Sequence, residues 1–258
     1  MKNTTVGFIG GGRIVRVILQ GWKRKGVLPA KIVVSDCNAE NLNKLKTVCP
    51  EVVTTGDNAL AAAQEIVFLS VHPPVMAGVV AGIKNSLSST AVLVSLAPKF
   101  TLAKLTALCD GFFRLARIIP NAPSTVNCGF NPMVFGAALG ESERALVRGL
   151  FEPLGNCPEV EESKLEGYAL LSAMGPTYFW FQFQVLRDVA RDFGLGNAET
   201  AAALKQMVSG ALETLLESGL SPAEVMDLVP VKPLAEMEGS VTNLYKTQLS
   251  VVYSKIKP

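Results

Sequence analysis

Apolar residues fall in short runs broken by turn residues over roughly the first 161 positions, and at helical spacing beyond them. Thr5-Val6-Gly7-Phe8-Ile9 predicts a short buried strand, and Gly10-Gly11-Gly12 ends it. From Arg13 the spacing is that of an amphipathic helix to about Lys25, with Gly26 as its stop. Residues 31–36 predict a second strand ending in an acidic residue, and Asn38 can cap a helix to about Val48. A short strand over 52–54, a small Ala-rich helix capped by Asp57-Asn58, and a buried strand over 65–71 follow, and Pro73 opens another helix. Residues 91–96 and 114–119 predict further strands, with a short helix from Thr101 between them. Residues 133–137 and 157–160 extend the sheet on either side of a helix begun by Ser142-Glu143. Such alternation predicts an α/β fold with a mostly parallel, doubly wound sheet. From Glu162 onward only helices are predicted, over 176–192, 198–218, 222–228 and roughly 238–255. Two domains are expected, an α/β domain over 1–161 and an all-α domain over 162–258.

Composition narrows the function classes. Apolar residues make up 49% of the 258, charged residues 18%, and the net charge is +2, which gives no case for nucleic acid or an anionic membrane surface as partner. Cys37, Cys49, Cys109, Cys128 and Cys157 are odd in number, form no C-x-x-C pair and no Cys/His cluster. They read as reduced, buried thiols, with no metal site. No charged and apolar leader pattern precedes the first strand, and the apolar region 66–83 is broken by His72, Pro73 and Pro74. A cytoplasmic protein without a membrane span is expected. Phe179-Trp180-Phe181 and Phe183 exceed what one short bundle covers, which points to a partner subunit.

Gly10 and Gly12 occupy the first two positions of the G-x-G-x-x-G/A dinucleotide fingerprint, after a strand and before a helix. The first permits a sharp turn, and the second lets backbone N–H groups approach a pyrophosphate at the helix N-terminus. Val15 stands at the third position, so the packing of helix on strand must be adjusted there. In such a sheet the ligand lies over the carboxyl ends of the strands, which brings forward the residues just after each one. Asp36 can accept hydrogen bonds from ribose hydroxyls and favours NAD, since Cys37 and Asn38 supply no cation for a 2′-phosphate. Arg13 is a candidate phosphate contact or an exposed helix-start arginine. Asn58 caps its helix or reaches ribose. His72, the single histidine, is a loop residue or a cofactor contact. Arg117-Ile118-Ile119-Pro120-Asn121-Ala122-Pro123 is a strand followed by a proline-stiffened loop that offers Asn121 towards the reacting centre.

These segments resemble pyrroline-5-carboxylate reductases over nearly the full chain. The glycine turn, Val71-His72-Pro73, the R-x-x-P-N-x-P segment from Arg117 with Gly129 six residues later, and Ser172-Ala173-Met174-Gly175-Pro176-Thr177-Tyr178 stand in that family's order and spacing. The resemblance implies an N-terminal Rossmann dinucleotide-binding domain, a C-terminal all-α dimerisation domain, and a homodimer or higher homo-oligomer. It implies hydride transfer from NADP or NAD in reduced form to the C=N carbon of a cyclic imino acid. By position it assigns Gly10, Gly12, Arg13, Ile14, Asn58, Val71, His72 and Pro73 to the cofactor. Asn121, Glu162, Ser172, Gly175, Pro176 and Thr177 would face the nicotinamide and substrate.

The chain also departs from the family. His72 stands where the family usually has lysine, Cys37 lies where an arginine favours NADPH, and Pro98-Lys99 replaces a glycine. Ser172-Ala173-Met174-Gly175-Pro176 replaces S-G-S-G-P. The S-P-G-G-T-T loop that holds the substrate carboxylate gives way to Leu228-Val229-Pro230-Val231-Lys232-Pro233-Leu234-Ala235-Glu236, where Lys232 is the only cation. Three functions follow: the reductase itself, a related imine or carbonyl reductase, or a degenerate dinucleotide-binding protein. The mechanism would need placement more than side-chain chemistry, so no catalytic triad, covalent nucleophile or metal is expected; Ser172, Thr177 and Tyr178 are the hydroxyls to examine as proton donors.

Overall fold

A computed structural model describes residues 3–258. Seven strands form one sheet: β1 (Thr5–Ile9), β2 (Lys31–Ser35), β3 (Val53–Thr55), β4 (Ile66–Leu69), β5 (Val92–Ser95), β6 (Leu115–Ile118) and β8 (Met133–Phe135), with β7 (Gly129–Phe130) outside it. Their spatial order is β3-β2-β1-β4-β5-β6-β8, parallel throughout except for β8, which pairs antiparallel with β6. This is the doubly wound order of a dinucleotide-binding domain, in which the chain reverses direction between β1 and β4 and leaves a crevice over their carboxyl ends.

The helices that cross over the sheet begin and end on the residues the sequence singles out. In α1 (Arg13–Lys25) the chain leaves through Gly26 at φ 67°, whose N–H bonds the carbonyls of Lys23 and Trp22. Asn38 accepts a hydrogen bond from Glu40 N to start α2 (Ala39–Val48), and Thr101 accepts from Lys104 N to start α5 (Leu102–Leu108). Asp57, and not Asn58, caps α3 (Asn58–Ala62) by accepting from Ala59 N. Pro73–Val75 makes a 3-10 turn into α4 (Met76–Ile83). Two buried layers result. One packs Phe8, Val15, Ile18, Trp22, Phe68 and Phe151 on one face of the sheet, and the other packs Ile9, Leu69, Met76, Val80 and Leu105 on the opposite face. Val15, where the fingerprint has glycine, is wholly buried in the first layer.

Residues 157–160 form no strand. Pro158 has no N–H to give to a ladder, so only an isolated bridge joins Met133 to Glu159, while β9 (Gly155–Asn156) pairs with β7 in a separate two-stranded sheet. The cysteines are all free, as expected, but not all buried. Cys49 and Cys109 are, Cys157 is half-buried, and Cys37 and Cys128 are exposed, each in a connection outside the strands and helices.

The described chain divides into two compact units. One contains the residues up to Met174 together with Val252–Pro258, and the other is Gly175–Val251. Residues 162–173, grouped with the helices by sequence, therefore pack in the first unit. There α6 (Glu141–Phe151) is followed by α7 (Leu165–Tyr168) and a π-helical turn over Ala169–Ala173, with Leu165 and Ala169 packed on Ile119 and Val134. The second unit is built from α8 (Pro176–Asp192), α9 (Asn197–Glu217), α10 (Pro222–Asp227) and most of α11 (Ala235–Ile256). None of its apolar side chains is buried.

Candidate active site: a trough over the carboxyl ends of the strands

Gly10 turns the chain out of β1 at φ 95°, and its N–H donates to Ser35 O (2.8 Å). A Cβ there would lie 2.7 Å from Ser70 O and 2.9 Å from Val71 Cγ1, so glycine is demanded by both conformation and space. Ser70 closes the same turn from β4, its Oγ donating to Ile9 O (2.9 Å) and Gly10 O (2.6 Å). Gly12 is different. It caps α1 at φ −74°, ψ −163°, a conformation open to any residue, and a Cβ on it would meet nothing within 4 Å. The room is in the cleft itself. The first turn of α1 carries no carboxylate, and Arg13 lies at its mouth. A pyrophosphate fits this cradle: open space over Gly12, helix N–H groups without intrahelical partners, and a cation beside them.

Two clefts meet at that point. The larger, about 510 Å³, runs from Gly10 and Gly12 past Asp36, Cys37, Asn41 and Asn58. The smaller, about 250 Å³, runs from Gly12, Arg13 and Ile14 past Pro73 to Leu96, Ala97 and Pro98. Gly12, Ser70, Val71 and His72 line both, so the two form one trough across the sheet's reversal point. Of the residues named from sequence for the cofactor, Gly10, Gly12, Arg13, Ile14, Asp36, Asn58, Val71, His72 and Pro73 all lie on it. Ser70, Asn41 and the turn Leu96–Pro98 were missed. Position alone would have found Ser70 and Leu96–Pro98, since each directly follows a parallel strand.

Asn121 is not on the trough. It is 5% exposed, its Oδ1 accepts from Phe130 N (3.1 Å), and its Nδ2 donates to Ser172 O (3.0 Å). One bond at each end of the amide is made within the fold, which fixes its orientation and leaves a second Nδ2 proton and a second Oδ1 lone pair. The π turn exposes the Ser172 carbonyl to it, while Ser172 Oγ donates to Tyr168 O (2.8 Å).

Glu162 also has a supporting place. Its Oε1 accepts from Leu102 N (2.7 Å) and from Arg117 Nη1 (2.9 Å). Arg117, wholly buried, also pairs through Nη2 with Glu166, which is buried too and accepts from Lys99 N (3.0 Å). This cluster ties β6 and α7 to the loop between β5 and α5, the loop whose start lines the trough. Glu166 went unnamed in the sequence, although its i,i+4 spacing from Glu162 puts two carboxylates on one side of a helical stretch. Lys99, one of the residues standing in for a glycine, takes φ 81°.

Gly175, Pro176 and Thr177 lie in the second unit. Gly175 is buried, Pro176 opens α8, and Thr177 is exposed. Burial, with Tyr245 set edge-on at 5.8 Å, pushes the Tyr178 phenol above its ordinary pKa. The loop after α10 is exposed and apolar, with Leu228, Val229, Val231 and Leu234 all more than half accessible.

Residues 5–99 match the family model described as NADP oxidoreductase, coenzyme F420-dependent. The pyrroline-5-carboxylate reductase of Pisum sativum is 30% identical over 224 residues, covering 86% of this chain and 81% of its own length. Among solved structures, a pyrroline-5-carboxylate reductase from Coxiella burnetii is 26% identical with a TM-score of 0.68, covering 99% of this chain and 95% of its own. The pyrroline carboxylate reductase of Plasmodium falciparum, solved with NADP bound, shares the fold at a TM-score of 0.82 and 19% identity, over 100% and 98% of the two chains. With the trough, the glycine turn and this degree of identity together, the chain belongs to the pyrroline-5-carboxylate reductase family.

Proposed function

We propose that the chain reduces the C=N bond of pyrroline-5-carboxylate to give proline, with a reduced nicotinamide dinucleotide as hydride donor. The carrying observation is the continuous trough with Gly12 open to it, in a chain of this family. A bound nicotinamide supplies the hydride, and the protein supplies position. The α1 N-terminus and Arg13 hold the pyrophosphate. Ser70 fixes the glycine turn, and Ile14, Val71, Pro73, Leu96 and Pro98 give the smaller cleft an apolar wall suited to a flat ring. A protonated imine is already electrophilic, so placement against the ring accounts for most of the rate. Arg117, Glu162 and Glu166 support the site by fixing the loop after β5.

A homodimer through the second unit is part of this reading. Phe179, Trp180, Phe181, Leu212, Leu216 and Leu244 are all exposed on helices that bury no apolar side chain of their own. A single copy of the unit leaves a surface that only another protein surface would cover. A cytoplasmic location also belongs to the reading, supported by five unpaired cysteines; among the described residues no helix is long and apolar enough to cross a membrane. A second reading, a reductase of a different imine, is favoured by the loop at 228–234, whose two prolines remove the N–H donors a carboxylate would need.

The test is the loss of reduced-nicotinamide absorbance on adding pyrroline-5-carboxylate, with NADH and NADPH run in parallel. Turnover on the order of 1 per second or faster supports the assignment. Nucleotide binding without turnover moves it to another imine, and the absence of both binding and turnover refutes the enzyme.

A further inference from the structure

Asp36 closes β2 on the wall of the larger cleft, and its surroundings are specific about charge. Its Oδ2 accepts from Gly11 N (2.8 Å) and Asn41 Nδ2 (3.0 Å), and its Oδ1 accepts from Asn38 N (2.7 Å). A carboxylate has about four acceptor positions, so one on Oδ1 is left. The three donors fix the charge in place, two of them from the backbone. Around it, Ser35, Cys37, Asn38, Asn41 and Asn58 are uncharged, and among the described residues no lysine or arginine lines this cleft. Arg13 lies on the other cleft, at the pyrophosphate cradle.

We infer that the chain selects NADH over NADPH, with Asp36 as the specificity-determining residue and the cation-free rim as its complement. The inference rests on reading the trough as the dinucleotide site. A ribose 2′-hydroxyl has a proton to donate to the remaining Oδ1 position. A 2′-phosphate carries about −1.5 to −2 charges at neutral pH and would face a fixed carboxylate with no counter-charge. It gains no hydrogen bond there and adds like-charge repulsion. Loss of one hydrogen bond to a charged group already corresponds to roughly tenfold or more in affinity.

The test is calorimetric titration with NADH and with NADPH at matched ionic strength, with no imine present. NADH binding tighter by about tenfold or more is expected. Asp36→Ser should narrow that gap, but it also releases Gly11 and Asn41, so a second variant is needed. Cys37→Arg leaves Asp36 and its three donors in place and adds a cation at the rim. It should shift the ratio of NADPH to NADH affinity about tenfold towards NADPH. NADPH binding as tightly as NADH, or tighter, overturns the inference whatever the turnover. So does a Cys37→Arg protein whose ratio of NADPH to NADH affinity is unchanged. NADH preference without reduction of pyrroline-5-carboxylate upholds Asp36 and overturns the imine assignment, and failure to bind either nucleotide overturns both.

Discussion

Replacing Gly12 by alanine separates folding from binding at one atom. Gly12 has backbone angles any residue adopts, and a Cβ built on it meets nothing within 4 Å. The fold loses only the preference for glycine over alanine at a helix N-cap, about 0.5–1 kcal/mol. That corresponds to roughly 1–4 °C in Tm for a chain of this size. The nucleotide loses more. The added methyl occupies the approach to the α1 N-terminus and holds phosphate oxygens beyond hydrogen-bond range. One charge-assisted bond lost is worth about 1.5–3 kcal/mol, so NADH should bind about ten- to a hundredfold more weakly. Gly10→Ala is the opposite case. Its φ of 95° and the approach of 2.7 Å to Ser70 O combine a left-handed alanine with a clash against backbone. The expected destabilisation is about 3 kcal/mol or more. Denaturant unfolding and calorimetric titration on the same preparations read both effects. A Gly12→Ala protein that binds NADH within about twofold of the parent would refute the placement of the pyrophosphate. One that unfolds as readily as Gly10→Ala would refute the claim that this space belongs to a ligand.

Arg117→Leu should lower stability by about 3–5 kcal/mol in urea unfolding, because Glu166 is left buried without its cation; a loss under 1 kcal/mol would mean that the cluster is not what fixes the loop after β5. Lys99→Gly relieves a side chain held at φ 81° and should stabilise by about 0.5–1 kcal/mol after the added chain entropy of glycine is subtracted, an unchanged midpoint arguing against strain there. A thiol reagent should label exposed Cys37 and Cys128 quickly and Cys49 and Cys109 only on unfolding, and NADH should protect Cys37, since it lines the larger cleft. Burial pushes the thiols of Cys49, Cys109 and Cys157 up to about 11 from an ordinary 9.0. Above pH 9.0 the unfolded chain therefore releases protons that the folded chain keeps, and stability should fall as pH rises towards 11, with circular dichroism melts as the readout.

What the sequence made legible is local. The glycine turn, the Gly26 stop, the caps at Asn38 and Thr101 and the helix over 176–192 each depend on residues within a turn of one another, so type and spacing are enough. The partners that decide chemistry are far apart in the chain. Asn121 was placed at the reacting centre from its donor and acceptor alone, but the fold brings the Ser172 carbonyl and the Phe130 N–H to it first. Arg117 was visible in its motif, whereas Glu162 and Glu166, 45 and 49 residues away, become its partners only through the packing of α7 against the sheet. Asp36 was read from the sequence as an acceptor for ribose at the end of β2. That Gly11 and Asn41 hold it there requires the glycine turn and α2 to converge on the same carboxylate.

The departures from the family therefore do not all weigh alike. Pro98-Lys99 in place of glycine puts a side chain at positive φ, a conformation that persists only where its surroundings over-determine it. The surroundings here do so, because buried Glu166 accepts from Lys99 N while paired with buried Arg117. The backbone beside the trough is thus held without a glycine, and the change leaves the cofactor cradle intact. Val15 is absorbed in the same way, as a fully buried core residue. The loop at 228–234 has no such compensation within its own unit: its apolar side chains are exposed, and Pro230 and Pro233 can donate nothing. The glycine turn that shapes the trough follows the family pattern, and the segment at 228–236 departs from it. For that reason the nucleotide titrations and the imine assay are separate experiments, and the identity of the imine is where this chain and its relatives can differ while sharing one fold and one cofactor chemistry.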